Sequence, residues 1–435
     1  MSSKKVDPLF LERLRNPLKS QIIKEFVNKN FKKEEELFRI IISFENPQDR
    51  EIFLSENENL NILGNINLIP SVILTLKKEE ILNFDELKLV SRIEEDQRLY
   101  LSMLDVIQLI EQETYRDSQM VYTGDMVQIG IIDNGIKKEF DCISPILKAE
   151  YSLANDRTKD PVTHGTLLAN IIGNQYLDEE DRTVGIAPNA EIIDFNIFNT
   201  KEEYYLSDIL QIFDLIIREK IELDILLIPM ATLHPSYGKD ILSRACNLLV
   251  EENMLIVCPA GNFGAESKSI GSPGAAKKVI TVGSINKKGK VAYFSGRGPT
   301  LDGRRKPDLV FPGSKIEIPL SNETRIQFSG TSVSAAIATG IIALLREYDR
   351  QITHEQILSI LNSTALDLYQ SKDSQGKGTT DIVRIFKHLN YYEEQIIPYT
   401  YMMKRSLRSS IEFIALLIGI YYIVFFFNIF QFLTF

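Results

Sequence analysis

The distribution of apolar and polar positions between residues 37 and 95 predicts a small α+β unit. Its apolar runs are rich in β-branched side chains and are separated by turn-prone residues, which is typical of strands. The predicted elements are, in chain order, a strand at 37–44, a helix that begins at Asn46-Pro47, strands at 61–66 and 71–76, a helix at 77–87 and a strand at 89–93. This β-α-β-β-α-β order is that of a ferredoxin-like domain.

A different pattern begins at about Val121, where short apolar runs alternate with helical stretches. The runs predict strands at 127–132, 191–195, 224–229, 254–258 and 279–282, and the helical stretches are at 165–172, 205–219, 239–252, 332–346 and 354–361. Strands that are apolar on both faces and alternate with helices indicate a parallel sheet covered by helices on both sides. The sequence therefore predicts an α/β domain that closes near Phe386.

The two ends of the chain differ in polarity. Residues 6–36 form a charged, amphipathic pattern, whereas residues 413–435 contain no charged side chain. As a helix, the apolar stretch is about 34 Å long, which is enough to cross a bilayer core of about 30 Å. A buried core helix is the alternative, but a helix that is apolar on every face at a chain end has no core to face.

Basic residues flank this stretch on one side only. Lys404, Arg405 and Arg408 precede it, and no basic residue follows. Because positive charge stays on the cytoplasmic side, we expect a single-pass membrane protein with a C-terminal anchor and with the preceding α/β domain on the cytoplasmic side. The expected organisation is a helical extension at 1–36, an α+β domain at 37–100, an α/β domain at 101–390, a linker at 391–410 and a transmembrane helix at 411–435.

Composition narrows the class of protein. The 435-residue chain is 44% hydrophobic and 25% charged, as expected of a globular protein, and its net charge of −10 disfavours nucleic acid as a partner. Its three cysteines lack metal-ligand spacing and predict no disulfide framework. A nucleotide-binding α/β protein is excluded, because there is no Walker-type phosphate loop and residues 130–135 lack the dinucleotide-binding spacing.

Three positions carry the residue types of an activated nucleophile. Asp133 follows the strand at 127–132, at the sheet edge where open α/β sheets bind ligands. His164 opens one predicted helix and Ser332 opens a later one. Taken singly, an Asp-Asn-Gly segment is a common turn, a lone histidine is usually structural, and a serine at a helix start is a common N-cap. The chain order Asp, His, Ser is one of the known orders of a catalytic triad.

The residues around these positions resemble the subtilisin-like serine protease (subtilase) family. The resemblance is carried by Ile131-Ile132-Asp133-Asn134-Gly135, His164-Gly165-Thr166, Val184-Gly185-Ile186-Ala187-Pro188, Ala260-Gly261-Asn262 and Phe328-Ser329-Gly330-Thr331-Ser332-Val333-Ser334-Ala335-Ala336. It covers about residues 121–387. Residues 37–100 resemble the inhibitory propeptide of the family by pattern and position.

The resemblance implies a serine endopeptidase that hydrolyses polypeptides. Asp133 would orient His164, which takes the proton of Ser332. Asn262, on a glycine turn, would donate a hydrogen bond to the oxyanion of the tetrahedral intermediate. A proenzyme is also implied, which cleaves itself near residues 100–104 and whose own N-terminal domain is a partner.

The resemblance also places the substrate-binding cleft. The expected cleft residues are Met230, Ala231, Thr232, Pro259, Ala260 and Gly261. The first three stand where family members carry a Ser-Leu-Gly strand that pairs with the substrate backbone. The last three form the opposite wall of the first specificity pocket, where small residues permit a sizeable apolar side chain.

The chemistry requires no cofactor. The loop at 174–183 contains Asp178, Glu179, Glu180 and Asp181, in a region that holds calcium in many subtilases. We expect either a structural calcium or a solvated acidic loop there, and we assign no residue as a metal ligand.

Several positions depart from the family pattern. Leu167, Asn170, Met230, Ala336 and Ile337 replace residues that are common in subtilases. These departures leave a second interpretation, a catalytically weak or inactive subtilase fold used as a membrane-bound binding or regulatory module. The presence of all four catalytic and oxyanion-hole residues favours the active peptidase.

Overall fold

The computed structural model describes residues 5–15, 37–101, 122–153, 158–176, 184–320 and 325–396 of the chain. Some predictions lie outside the described residues: most of the N-terminal extension, the self-cleavage region after residue 101, the acidic side chains at 178–181, the linker beyond residue 396 and the apolar stretch at 411–435. Within the described ranges, no helix is both long enough and apolar enough to cross a membrane.

The described residues form strands and helices that we number in chain order. The strands are β1 (Leu37–Phe44), β2 (Ile62–Ile66), β3 (Ser71–Lys77), β4 (Val90–Glu95), β5 (Arg98–Leu101), β6 (Gln128–Asp133), β7 (Leu147–Ser152), β8 (Glu191–Asn196), β9 (Tyr204–Tyr205), β10 (Ile225–Leu227), β11 (Met230–Thr232), β12 (Leu255–Pro259), β13 (Ile280–Ile285), β14 (Leu309–Pro312), β15 (Ile316–Pro319) and β16 (Arg325–Phe328). The helices are α1 (Pro8–Arg15), α2 (Pro47–Glu56), α3 (Lys78–Phe84), α4 (His164–Gly173), α5 (Leu206–Glu219), α6 (Ile241–Glu251), α7 (Thr331–Tyr348), α8 (His354–Thr364), α9 (Lys372–Gln375) and α10 (Ile382–Ile396).

Seven parallel strands form the central sheet, in the order β14-β13-β12-β10-β6-β8-β7. The chain adds β7 and β8 on one side of β6 and then crosses to β10 on the other side. The carboxyl end of β6 therefore lies at a topological switch point, where open α/β sheets form their binding crevices. Asp133 is the last residue of that strand.

Helices cover both faces of this sheet, as the sequence predicts. The apolar, small-residue helix α7 packs on β10, β12, β13 and β14, and it also packs against α4. On the opposite face, α5 and α6 share a buried cluster with alternate strand residues, such as Ile256 and Cys258. Leu255 and Val257 alternate with these two residues along β12. They are also buried but lie outside that cluster, because successive side chains of a strand point to opposite faces of the sheet.

The apolar runs did not reveal every strand. Edge strand β7 was missed because most of its side chains are only half-buried, so its sequence contains no continuous apolar run. Strands β5 and β9 were also missed, because each is short and forms only by pairing with residues distant in the chain. The predicted strand at 224–229 is observed as β10 followed directly by β11.

Residues 37–95 form a four-stranded antiparallel sheet with two helices. The elements follow the order β1-α2-β2-β3-α3-β4, and the strands lie in the order β2-β3-β1-β4. On one face, Ile40 and Ile42 pack with Phe53 of α2 and with Phe10 of α1. On the other face, Ile41 belongs to the same buried cluster as helix α5, so this face is covered by the α/β domain.

The last described helix crosses a predicted boundary. We expected the α/β domain to end at residue 390 and a polar linker to follow, but α10 continues from Ile382 to Ile396. The apolar side chains of Ile382, Ile385, Phe386 and Leu389 recur at helical spacing, which explains the continuous helix.

Candidate active site

Asp133, His164 and Ser332 meet in a line of hydrogen bonds. His164 Nδ1 lies 2.7 Å from Asp133 Oδ2, and His164 Nε2 lies 3.0 Å from Ser332 Oγ. All three residues are buried, with at most 2% of each exposed. A serine hydroxyl within hydrogen-bond reach of an imidazole, which itself contacts a carboxylate, is the arrangement that activates a serine as a nucleophile.

The turn after β6 aims the Asp133 carboxylate. Oδ1 accepts the backbone N–H of Asn134 at 2.7 Å, which leaves Oδ2 for the histidine. The amide oxygen of Asn134 in turn accepts the backbone N–H of Gly165, at 3.2 Å. Gly135 has φ of +95°, a conformation that favours glycine and turns the chain sharply.

Helix α4 positions His164 at its first residue. Thr163 is its N-cap, with a side-chain oxygen that accepts the N–H of Thr166. A Cβ at Gly165 would lie 2.8 Å from the Gly135 carbonyl oxygen, closer than real Cβ atoms approach. Glycine is therefore required at residue 165 for the helix start to lie directly against the Asp133 turn.

Two departures from the family pattern are internal packing residues of α4. Leu167 is 5% exposed and Asn170 is 1% exposed. The amide of Asn170 donates to the Thr166 carbonyl, and its oxygen accepts from Asn174 at 2.8 Å and lies 3.2 Å from Cys142 Sγ. These residues complete the core beneath His164 and leave its ring free to contact both partners.

Helix α7 carries Ser332 in its first turn. It runs unbroken from Thr331 to Tyr348, although Ala336 and Ile337 replace the residues usual in the family. Both of these side chains are buried. The departures are therefore compatible with the hydrogen bond between Ser332 and His164.

Asn262 lies beside the start of α7. Its amide oxygen accepts both the backbone N–H of Thr331, at 2.9 Å, and the Thr331 hydroxyl, at 2.8 Å. These two bonds fix the rotamer, so the amide nitrogen Nδ2 points the other way. Nδ2 is buried and donates to none of the residues that the structure describes. In the sequence, Thr331 stands out only as part of the serine motif. Its position directly before Ser332 is the signal that could have identified it as the residue that fixes the Asn262 amide.

The predicted cleft strand is present as β11. It pairs antiparallel with β5, in the register Met230 with Leu101, Ala231 with Tyr100 and Thr232 with Leu99. On its other side β5 pairs with β9. The cleft thus holds a segment of the chain itself, as the central strand of a three-stranded sheet.

The structure brings the other predicted cleft residues to the opposite wall. Pro259 ends β12, and a Cβ built on Gly261 would lie 3.4 Å from the Ala231 side chain. Ala260 is buried between them. Met230 presents its backbone to β5, as expected of a strand that pairs through its main chain, and its side chain belongs to the buried core.

The end of β5 lies at a cavity that His164 also lines. A cavity beside this strand is lined by Leu101, Asn134, His164 and Tyr204. The Tyr100 ring makes an edge contact with Phe263, the residue after Asn262, with 5.6 Å between ring centroids. The segment at 98–101 therefore lies beside both His164 and the residue that follows Asn262.

Two carboxylates hold the N-terminal domain on the α/β domain. Asp96 accepts the backbone N–H of Ser207 at 3.0 Å and its hydroxyl at 2.8 Å, at the start of α5. Glu94 accepts the backbone N–H of Ile241 at 3.1 Å, at the start of α6. Anionic side chains are favoured at helix N-termini, where backbone N–H groups lack partners within the helix.

No group of three or more His, Cys, Asp or Glu side chains that could hold a metal ion occurs within the described ranges. Asn174, at the start of the predicted calcium loop, uses its amide within the protein: Nδ2 donates to Asn170 and to the Pro319 carbonyl, and Oδ1 accepts from Tyr176. The four acidic residues of that loop lie outside the described residues.

Comparison with known proteins assigns the family. A model of the subtilase family matches residues 124–382. The chain therefore belongs to the subtilase family, the subtilisin-like serine proteases, and the resemblance inferred from the motifs is confirmed.

Individual relatives are between a quarter and a third identical to this chain over the aligned residues. Serine protease AprX of Bacillus subtilis is 27% identical over 293 residues, covering 60% of this chain and 66% of AprX. The human membrane-bound transcription factor site-1 protease is 29% identical over 294 residues, covering 64% of this chain but only 26% of that protein. The chain thus spans less than two thirds of each of these relatives.

Solved structures support the fold. Fervidolysin from Fervidobacterium pennivorans, described as a keratinolytic enzyme related to subtilisin, superposes with a TM-score of 0.64 at 18% identity, covering 83% of this chain and 62% of fervidolysin. The prenylagaramide maturation protease PagA gives 0.51 at 21% identity, covering 60% of this chain and 94% of PagA. The α/β fold with a central parallel sheet is therefore that of subtilisin.

Proposed function

We propose that the protein is a subtilisin-like serine endopeptidase that hydrolyses peptide bonds. The observation that carries this proposal is the pair of distances around His164, 2.7 Å to Asp133 and 3.0 Å to Ser332. His164 takes the hydroxyl proton as Ser332 Oγ attacks the scissile carbonyl, and Asp133 stabilises the imidazolium that forms. His164 then gives the proton to the leaving amine, and water releases the acyl group from Ser332.

The oxyanion is stabilised by Asn262 Nδ2 and by the backbone N–H of Ser332. The contacts of Thr331 with the Asn262 oxygen support this role, because they preorganise the amide before the substrate arrives. A donor held in place costs no reorganisation when the negative charge develops on the carbonyl oxygen.

The N-terminal domain acts as an inhibitory propeptide, and strand β5 occupies the cleft in the manner of a substrate. An extended substrate adds a strand between β9 and β11 in the same way, through backbone hydrogen bonds. Self-cleavage after this strand, near residues 100–104, would free β5 from the α/β domain and open the cleft.

The test is intact mass and N-terminal sequencing of the full-length protein beside Ser332→Ala. Loss of about a hundred N-terminal residues from the wild type alone, together with labelling of wild-type Ser332 by a fluorophosphonate, supports the endopeptidase and its self-processing. Two intact proteins, with Ser332 of the wild type still unlabelled after limited proteolysis has removed strand β5, would favour the alternative, an inactive subtilase-fold regulatory module. The buried packing of Leu167 and Ala336 weakens the sequence argument for that alternative.

The enzyme is anchored to a membrane by its C-terminal apolar stretch, with the catalytic domain on the cytoplasmic face. This part of the proposal rests on the uncharged residues 413–435 and on the basic residues before them. Retention of the protein in the membrane fraction after alkaline carbonate washing supports the anchor. Release of the protein by that wash contradicts it, and protease accessibility of the catalytic domain in sealed vesicles tests the orientation.

Catalysis by this mechanism requires no cofactor, and the loop 174–183 is either a structural calcium site or a solvated acidic loop. The acidic composition of that loop supports this assignment. An increase in Tm on adding calcium to chelator-treated protein supports the site. An unchanged Tm contradicts it.

A further inference from the structure

A buried carboxyl group on β8, that of Asp194, lies next to the candidate active site. Asp194 is 1% exposed and pairs in register with Ile131 of β6 on one side and with Glu150 of β7 on the other. Because neighbouring strands are about 4.8 Å apart and each residue advances about 3.3 Å, its Cα lies roughly 8 Å from that of Asp133.

One oxygen of Asp194 holds the turn that follows Asp133. Its Oδ2 accepts the backbone N–H of Ile136 at 2.8 Å. The flanking residues are fixed from the other side, by α4: the Thr163 hydroxyl donates to the Gly135 carbonyl. The turn after Asp133 is therefore held from two sides, by Asp194 of β8 and by the start of helix α4, which carries His164.

The carboxyl group of Asp194 has two acidic neighbours and one basic neighbour. Its other oxygen, Oδ1, is buried and accepts no hydrogen bond from the part of the chain that the structure describes. Burial raises the pKa of Asp194 to about 7 against the lowering effect of the Ile136 N–H, with Glu150 and Asp133 raising it further and Lys138 lowering it. Lys138 is itself paired with Glu150, at 3.1 Å.

We propose that Asp194 is a positioning residue of the active site, which fixes the Asp133 turn through Ile136 and acts on the Asp133–His164 pair through its charge. This proposal rests on the proposed triad. The hydrogen bond sets the direction of the Asp133 carboxylate. The charge, when present, stabilises the imidazolium that forms on His164 as it takes the serine proton.

Two substitutions separate the hydrogen bond from the charge. Asp194→Asn keeps an acceptor for Ile136 and removes the charge, whereas Asp194→Leu removes both at similar volume. With a peptide substrate we expect kcat to fall about tenfold or more in the leucine variant with KM within about twofold, and to stay within about threefold in the asparagine variant. Because Asp194 carries its charge only above a pKa of about 7, the ratio of wild-type to asparagine-variant kcat/KM should rise about threefold as pH increases through this value.

Asp224→Asn is the matched control. Asp224 also accepts a backbone N–H of β6, that of Gln128 at 3.0 Å, but at the opposite end of the strand. It should lower stability without any pH-dependent change of kcat/KM relative to wild type. A wild-type kcat in the leucine variant, or a wild-type to asparagine-variant ratio of kcat/KM that stays constant with pH, would overturn the proposal for Asp194.

A second measurement does not depend on activity. In full-length Ser332→Ala protein with ¹⁵N-labelled histidine, the NMR signal of the His164 Nδ1–H reports the hydrogen bond to Asp133. This signal should be retained when Asp194→Asn is added and lost when Asp194→Leu is added. If Ser332 of self-processed or opened wild-type protein resists fluorophosphonate while this difference is observed, the proposed function fails and the role of Asp194 stands. If Ser332 is labelled and both variants retain the signal, the proposal for Asp194 fails alone.

Discussion

Truncating Glu94 to alanine should open the cleft of the uncleaved protein. Glu94 Oε2 accepts a charged hydrogen bond from Arg244 Nη2 at 2.7 Å, and Oε1 accepts the Ile241 N–H at the start of α6. The carboxylate side chain is 4% exposed, and Arg92 Nε lies 3.2 Å from it. Burial raises the pKa of Glu94 to about 7 against the lowering effect of Arg244 and Arg92, so the group is fully charged only above that pH. Alanine removes the carboxyl group and leaves these donors without their acceptor.

The magnitude follows from the cost of breaking a buried, hydrogen-bonded charge pair by removing one partner, about 2–5 kcal/mol. Since about 1.4 kcal/mol is a factor of ten, the population in which the N-terminal domain is released should rise between about 30-fold and about 3,000-fold. Strand β5 leaves the cleft with that domain, because it follows β4 after only two residues, Asp96 and Gln97.

The assay is the rate at which a fluorophosphonate labels Ser332 in freshly purified full-length protein. The reagent reaches Ser332 when β5 is out of the cleft, so the rate reports the open population. Glu51→Ala is the control, because Glu51 lies on α2 of the same domain with a 65% exposed side chain. A Glu94→Ala labelling rate within about twofold of the control, in protein with native circular dichroism, would refute this account of the interface.

Three further predictions concern the catalytic geometry. Asn262→Ala should lower kcat about 100- to 1,000-fold with little change in KM. Thr331→Val should lower kcat only a few-fold and have no added effect in the Asn262→Ala background. Steady-state kinetics of this double-mutant cycle will test both expectations. The folded-state pKa of Asp194, about 7, lies above the ordinary value of 3.8, so the folded state binds the extra proton and wild-type stability falls as pH rises through this window. The Tm of Asp194→Asn relative to wild type should therefore rise between pH 4 and pH 7, and a constant difference in thermal unfolding would contradict the assignment. Gly165→Ala places a Cβ 2.8 Å from the Gly135 carbonyl oxygen and should lower kcat about 100-fold by separating the histidine from its carboxylate, whereas near-normal kcat would show that the helix start can shift without loss.

Much of the fold was accessible from local pattern. The buried strands of the central sheet are continuous apolar runs. The helices begin and end within a few residues of their predicted limits, and N-capping residues such as Thr163 and Asp240 mark where they begin. Edge strand β7 could not be found in this way, because a strand with half-exposed faces has no distinctive hydrophobic period.

The chain by itself determined the family and the candidates Asp133, His164, Asn262 and Ser332. Glycine is required wherever the backbone must turn sharply or lie directly against another segment. Short motifs with glycine at fixed positions can therefore be recognised from the sequence alone. The same reasoning held for Gly165, whose place beside the Asp133 turn excludes any larger residue.

Only the tertiary structure decided what surrounds these residues. Thr331 hydrogen-bonds to Asn262, 69 positions away in the chain, and Asp194 hydrogen-bonds to Ile136, 58 positions away. No local sequence pattern encodes such contacts. Strand β5 likewise becomes a strand only because β9 and β11 supply hydrogen-bond partners on both its edges. Burial and charge balance depend on which distant segments fold together, and so the orientation and protonation of the site are properties of the folded protein.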